Sequence, residues 1–322
     1  MAGSSLITGS KRTRWRKGAG GIPLPRVGLR LSDHWLALLM VLPALTLMAI
    51  YVLYPLSQLI AGSFLQSYVL GQAGHWVGWQ NFQIIWADNQ FLPALNRTIY
   101  YTVGELALQL SLGLAFALLL NMNLPGRNIA RGAVLFPFIV PAVVAALIWT
   151  YALDPLTGIV NYALMSWHII HKPLLLLALP STAMNTVVFI SAWKYIPLII
   201  ILFLARLQTI PVEVVEAARC DGATTWQVFR HVTWPWLLPV VMVAAIARTI
   251  LSFNEFEMPY LLAHGGPLQS VTTLPVLIRQ YLSQSVDIGS ASAVSLVMMA
   301  ILVVVLSLYV VVYRRGERTL DG

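Results

Sequence analysis

Apolar residues in this chain gather into six blocks of about 20 residues or more, the length a helix needs to cross about 30 Å of hydrocarbon. The blocks cover residues 35–62, 98–120, 132–152, 184–205, 236–262 and 290–313. A further apolar stretch at 173–179 is too short to cross and is expected to lie at an interface or pack on a neighbour. Pro43, Pro55, Pro137, Pro141, Pro197, Pro239 and Pro259 fall inside blocks. In lipid such prolines are tolerated where neighbouring helices satisfy the freed carbonyls, and they mark kinks. The pattern predicts an all-α, polytopic membrane protein of six transmembrane helices.

Composition narrows the class further. Of 322 residues, 58% are apolar and 10% charged, where soluble domains carry about a quarter charged residues. Mean hydropathy is +0.77. The single cysteine excludes an intramolecular disulfide framework.

The net charge of +8 takes its meaning from location. Fifteen of the twenty basic residues fall before the first block, between blocks two and three, between four and five, or after the sixth. Arg97, Lys172 and Arg279 fall on the other side, while Lys194 and Arg248 lie inside blocks. The positive-inside rule then puts both termini in the cytoplasm, which requires an even number of spans. The expected organisation is a basic cytoplasmic tail (1–34), a six-span domain (35–313) with a cytoplasmic loop at about 206–235, and a cytoplasmic tail (314–322). A polybasic stretch beside a span binds anionic lipid and sets orientation, so it is not read as a nucleic-acid arm. The first apolar run starts only at Trp35 and is too long for a signal-peptide core, so no cleavable signal is expected.

Enzyme motifs are missing. Only His168 and His171 of the six histidines are close in sequence, in a loop without carboxylates, and they read as interfacial loop residues rather than as a metal site. There is no glycine-rich phosphate loop, nucleophile elbow or zinc-protease motif. Glu105, Lys194, Arg248, Glu255 and Glu257 lie inside blocks, where ionisable groups are expensive and face a bundle interior or a function. Glu105, near a block edge, is placed to snorkel. A proton- or sodium-driven carrier needs such groups, but the internal repeat common in those carriers is absent.

The loop between blocks four and five is the most specific feature. Pro211 suits the first turn of a helix expected to run to about Cys220. Gly222 permits the positive φ of a sharp stop, and Asp221 or the Thr224–Thr225 pair can cap a second short helix before Pro235 starts the fifth span. Two short helices at a tight angle make a knob, and Ala217 and Ala218 keep its tip small.

This loop resembles the signature loop of binding-protein-dependent ABC importer permeases: Glu-Ala-Ala, three residues, Gly, nine residues, Ile-x-Leu-Pro. Here it stands as Glu216-Ala217-Ala218, Gly222, Val232 and Pro235, with Val232 for isoleucine and Trp234 for leucine. The likeness extends from about Leu36 to Tyr313 and points to the sugar-importer branch. Leu42-Pro43-Ala44, Gly78-Trp79-Gln80-Asn81-Phe82, Leu124-Pro125-Gly126-Arg127, Gly158-Ile159-Val160-Asn161, Phe253-Asn254-Glu255-Phe256-Glu257 and Gly265-Gly266-Pro267 carry it. His264 and Arg206 stand where the family commonly has glycine.

The resemblance implies the type I ABC importer permease fold and a multi-pass protein of a bacterial or archaeal cytoplasmic (inner) membrane. It implies a second permease subunit, two ATPase subunits that use ATP and Mg2+, and an extracytoplasmic solute-binding protein delivering a carbohydrate. This chain would bind no cofactor itself. Glu213, Glu216, Ala217, Ala218, Asp221, Gly222, Ala223, Phe229 and Pro235 would form the ATPase-coupling loop. Sugar sites pair aromatic faces with groups that hydrogen-bond hydroxyls, which makes Trp193, Asn254, Glu255 and Glu257 candidates for the substrate path. An ABC permease for a non-sugar solute and a self-sufficient secondary carrier are the alternatives.

Overall fold

The structure is a computed structural model that describes the backbone of residues 33–66 and 74–318 and the side chains of residues 37–66 and 74–311. The basic residues of the tail before residue 33, and the side chains of Arg314, Arg315 and Arg318, lie outside the described residues. The chain divides into two units after Leu53. The first holds α1 (Asp33–Met48) and a π-helical turn, Ala49–Leu53. Its described side chains are exposed and apolar all round, the surface of a helix covered by lipid or protein rather than water.

The second unit opens with α2 (Tyr54–Gly62) and a two-residue antiparallel ladder of β1 (Leu65–Gln66) and β2 (His75–Trp76). It continues with α3 (Gln80–Ala87), α4 (Phe91–Asn121), α5 (Arg127–Val134), α6 (Phe136–Ile139), α7 (Ala142–Ala152), α8 (Ile159–Ser166) and α9 (Pro180–Leu207). After α9 come α10 (Val212–Cys220), α11 (Thr225–Val228), α12 (Trp234–Phe253), α13 (Glu257–Ala263), α14 (Leu274–Gln280) and α15 (Ile288–Arg318). A π-helical segment, Phe229–Thr233, joins α11 to α12 without a break.

Among the described residues, five helical stretches are long and apolar enough to cross a bilayer: Ala37–Gly62, Phe91–Asn121, Pro180–Leu207, Thr225–Phe253 and Ile288–Val311. The sixth crossing departs from expectation. Instead of one helix over 132–152, it is the pair Arg127–Ile139 and Ala142–Ala152, bent by 95°. Pro141 is the reason. It forces the preceding residue out of the helical region, and Val140 sits at φ −65°, ψ 128°. The Val140 carbonyl freed by the break accepts a 2.5 Å hydrogen bond from Nζ of Lys194, which is buried on α9. An intramembrane lysine thereby satisfies a backbone group that lipid would leave unpaired.

The fifth block is also corrected. Its helix stops at Phe253, and α13 begins separately at Glu257. The Met258 N–H left over at the new start donates to Glu255 Oε1 at 3.3 Å. The short stretch at 173–179 does not cross; Leu176 and Leu177 pack on the core cluster that holds Tyr101, Val187 and Met258.

Helices α4, α9 and α12 form the centre of the unit. A Cβ on Gly113 would lie 2.6 Å from Ile199 Cγ2, and one on Gly104 would lie 3.1 Å from Val188 Cγ1, so small residues let α4 and α9 approach closely. Ala117, Phe203, Leu207 and Leu237 fill the end of this trio nearest α10, and Tyr101, Val187, Ile190 and Met258 fill the other end. Buried asparagines tie the connections to this frame. Asn81 donates to the carbonyls of Ser63 and Leu65, while Asn161 accepts from Leu174 N–H and donates to Leu174 O.

Candidate functional site

The loop after α9 folds as two short helices joined by a compact stop-and-start signal. Pro211 precedes the first turn of α10 as its cap, at φ −60°, ψ 133°, one position earlier than its expected place inside the helix. At the other end, Ala223 N–H bonds to Ala218 O and Gly222 N–H to Arg219 O, the paired hydrogen bonds of a Schellman stop. That stop needs a left-handed residue, and Gly222 supplies it at φ +81°. Thr224 then opens α11: its Oγ1 accepts from Gln227 N–H, and Gln227 Oε1 accepts from Thr224 N–H, a complete capping box.

The geometry explains the residue spacing. Ala218 is the third residue from the helix end, so its carbonyl closes the turn and its small side chain leaves the joint open. A cleft between the two arms is lined by Ala218, Asp221, Gly222, Ala223, His231 and Val232. No residue of α10 is buried. Glu213, Glu216 and Asp221 are exposed, and the one ion pair among the described residues lies elsewhere. Their charges remain available to a partner.

Phe229 takes a different position from these. It stacks on Trp226 (5.4 Å between ring centres) and lies against Trp234 (6.3 Å). Aromatic rows of this kind anchor helices at a membrane boundary. Pro235 comes just after the π-helical segment Phe229–Thr233, the kind of local irregularity at which a helix accommodates a residue without an N–H. From Thr225 the helix runs unbroken to Phe253, so the knob is the end of a rod that enters the bundle.

Arg248 lies near the far end of that rod, about 35 Å away at 1.5 Å per residue. Its Nη2 donates to Glu105 Oε1 at 2.8 Å and its Nε to Gln109 Oε1 at 2.7 Å. Gln109 Nε2 donates to the same Glu105 oxygen at 2.6 Å, and Ser252 Oγ lies 3.3 Å from Arg248 Nη2. Glu105 is fully buried and bridges to Arg248, which corrects the expectation that it snorkels. The guanidinium also lies over the Tyr195 ring, 4.5 Å from its centre. The Tyr195 hydroxyl donates to Glu255 Oε2 at 3.4 Å.

The four path candidates separate here. Glu255 is held between Tyr195 and Met258 N–H. Trp193, the residue before Lys194, packs edge-on against Trp149 at 5.4 Å. Asn254 is exposed and folds back onto Ile250 O, while Glu257 is exposed at the start of α13. Glu255 is thus tied to the buried network, and Asn254 and Glu257 are not. Among the described residues no three His, Cys, Asp or Glu side chains are grouped to hold a metal ion.

Residues 109–318 match the family described as the binding-protein-dependent transport system inner membrane component. The chain belongs to that family. Among the relatives of this inner-membrane component is the trehalose/maltose transport system permease protein of Thermococcus litoralis. It is 32% identical over 289 residues, covering 90% of this chain and 96% of that protein. The sulfoquinovosyl glycerol transport system permease protein of Agrobacterium fabrum is 31% identical over 290 residues, covering 90% and 94%. A solved bacterial ABC transporter involved in alginate import shares the fold at TM-score 0.75 and 23% identity, covering 87% of this chain and 96% of that one.

Sequence reasoning missed Gln109, Tyr195 and Trp236. Each is an uncharged residue inside an apolar block and emits no pattern signal of its own; only the partner across the bundle gives it a role.

Proposed function

We propose that this inner-membrane component is one of two membrane-spanning halves of an ATP-driven importer that moves a carbohydrate handed over by an extracytoplasmic binding protein. In this reading both termini and the α10 knob face the cytoplasm, in keeping with the distribution of basic residues. The knob docks in a groove on one of two ATPase subunits, and closure of those subunits on ATP and Mg2+ drives alternating access. This chain binds neither nucleotide nor metal. The sugar assignment draws on the relatives named for trehalose, maltose and sulfoquinovosyl glycerol transport. Trp193 would offer a ring face along the path, with Asn254, Glu255 and Glu257 meeting hydroxyl groups.

The observation that carries the proposal is the knob with its hydrogen-bonded stop and cap, unpaired in charge and unburied, on the end of a rod running to Arg248. A stiff helix seated in a groove transmits displacement, whereas a flexible loop absorbs it. Gly222→Pro removes the left-handed stop and its N–H, and Glu216→Lys reverses an exposed charge. Each is expected to lower ATP-driven uptake about ten-fold or more, with the amount of chain in the membrane unchanged. Wild-type uptake by both variants would rule out the knob as the coupling element, and uptake persisting without ATP would favour a secondary carrier.

A further inference from the structure

The end of α9 and the start of α12 bracket residues 210–235, and three side chains close the base of this loop. Arg206 Nε donates to Trp236 O at 2.9 Å, and its guanidinium lies over the Trp236 ring, 5.2 Å from the centre. Trp236 Nε1 donates to Thr209 Oγ1 at 3.1 Å. The Thr209 hydroxyl in turn donates to Arg206 O at 2.8 Å. The chain of donors closes on itself: the arginine side chain holds the tryptophan backbone, and the tryptophan side chain returns through threonine to the arginine backbone.

The loop needs such a closure. Since no residue of α10 is buried, its own packing does not fix it to the bundle. A displacement of α10 reaches the spans through two strands of backbone, one entering α9 and one entering α12. If those two helix ends moved independently, the loop would flex at its base and lose the displacement there.

We propose that Arg206, Trp236 and Thr209 form a clasp that makes the end of α9 and the start of α12 move together, so that displacement of α10 is passed to both spans. Arg206 is then a positioning residue for transport, acting through the loop with no contact to substrate or nucleotide. The proposal rests on the coupling role given to the knob above, and it adds the part that makes the knob stiff.

The test has one readout that needs no partner and one that does. Cys220 is the only cysteine of the chain and is exposed at the end of α10. A nitroxide on Cys220 of the full chain in lipid nanodiscs reports the mobility of the loop. Arg206→Ala, and Thr209→Val at an exposed position that folding tolerates, are each expected to increase that mobility, with Arg206→Lys restoring part of the order. In the complete transporter, a nitroxide is then placed on Leu251→Cys, an exposed site at the far end of α12, in a Cys220→Ser chain. Its ATP–vanadate-driven spectral change is expected to fall about five-fold in the clasp variants. Unchanged mobility at Cys220 overturns the clasp. Raised mobility with a full ATP-driven change at Leu251→Cys overturns its part in transmission. No ATP-driven change in the wild-type chain overturns the coupling role itself, and the clasp proposal with it.

Discussion

At the scale of single residues, the buried charges in this chain hold backbone and helices in place. Lys194 satisfies the carbonyl that Pro141 frees at the 95° bend. Arg248 joins α12 to Glu105 and Gln109 on α4 and to Tyr195 on α9. Truncating one partner of a buried pair costs about 3–5 kcal/mol because the other charge is left unpaired, while replacing both by apolar groups is often close to neutral. Arg248→Met alone should therefore lower the melting temperature of the purified protein strongly, and Arg248→Met with Glu105→Leu should recover most of the loss. Equal losses in the single and double variants would show that the pair does not act as a unit. The sequence revealed Glu105, Lys194 and Arg248 as expensive intramembrane groups, but their partners sit on other helices or on the backbone. Distance in space leaves no trace in a single sequence, so Glu105 read as a snorkelling edge residue. His264 adopts φ +49°, a left-handed turn that a residue with a Cβ holds at the cost of some strain.

At the scale of elements, what local chemistry dictates was legible and what packing dictates was not. The knob was readable in detail because a glycine stop and a threonine cap act within a few residues of themselves. The third span was not, since hydropathy averages over Pro137 and Pro141 and cannot distinguish a kink from a 95° bend. The fifth block likewise hid the break at 254–256, where Asn254 and Glu255 interrupt an apolar run that continues into α13. Close packing of α4 on α9 was also invisible, because a glycine in an apolar block carries no sign of its neighbour. Gly113→Val would push atoms into Ile199 at a point where a Cβ alone already lies 2.6 Å from Cγ2. Overpacking of this kind costs about 1–3 kcal/mol. The expected result is a lower melting temperature and a smaller monodisperse fraction after detergent extraction, with Leu112→Val on the exposed face as a near-neutral control. A Gly113→Val protein as stable as wild type would show that α4 and α9 can separate without loss.

For the whole molecule, the second unit places its chemistry at two separated levels. One level is the exposed knob with its capped joint and clasped base; the other is the buried Arg248 network beside Glu255, Trp193 and α13. A single helical rod, Thr225–Phe253, spans the distance between them. Family membership and the number of crossings follow from features spread along the whole chain, which is why hydropathy and the loop motif were enough to reach them. Under the proposed function the substrate path is shared with other subunits, which fits the exposure of Asn254 and Glu257 in this chain.

The coupling claim is tested most directly by asking what the knob touches in the cell. Arg219 is exposed on α10 beside the joint, and Arg219→p-benzoylphenylalanine places a photocrosslinker there in the assembled transporter. The account predicts a light-dependent adduct with a subunit carrying a glycine-rich phosphate-binding loop, lost when Gly222→Pro is added. An adduct only with lipid, with the chain itself or with an extracytoplasmic protein would contradict it.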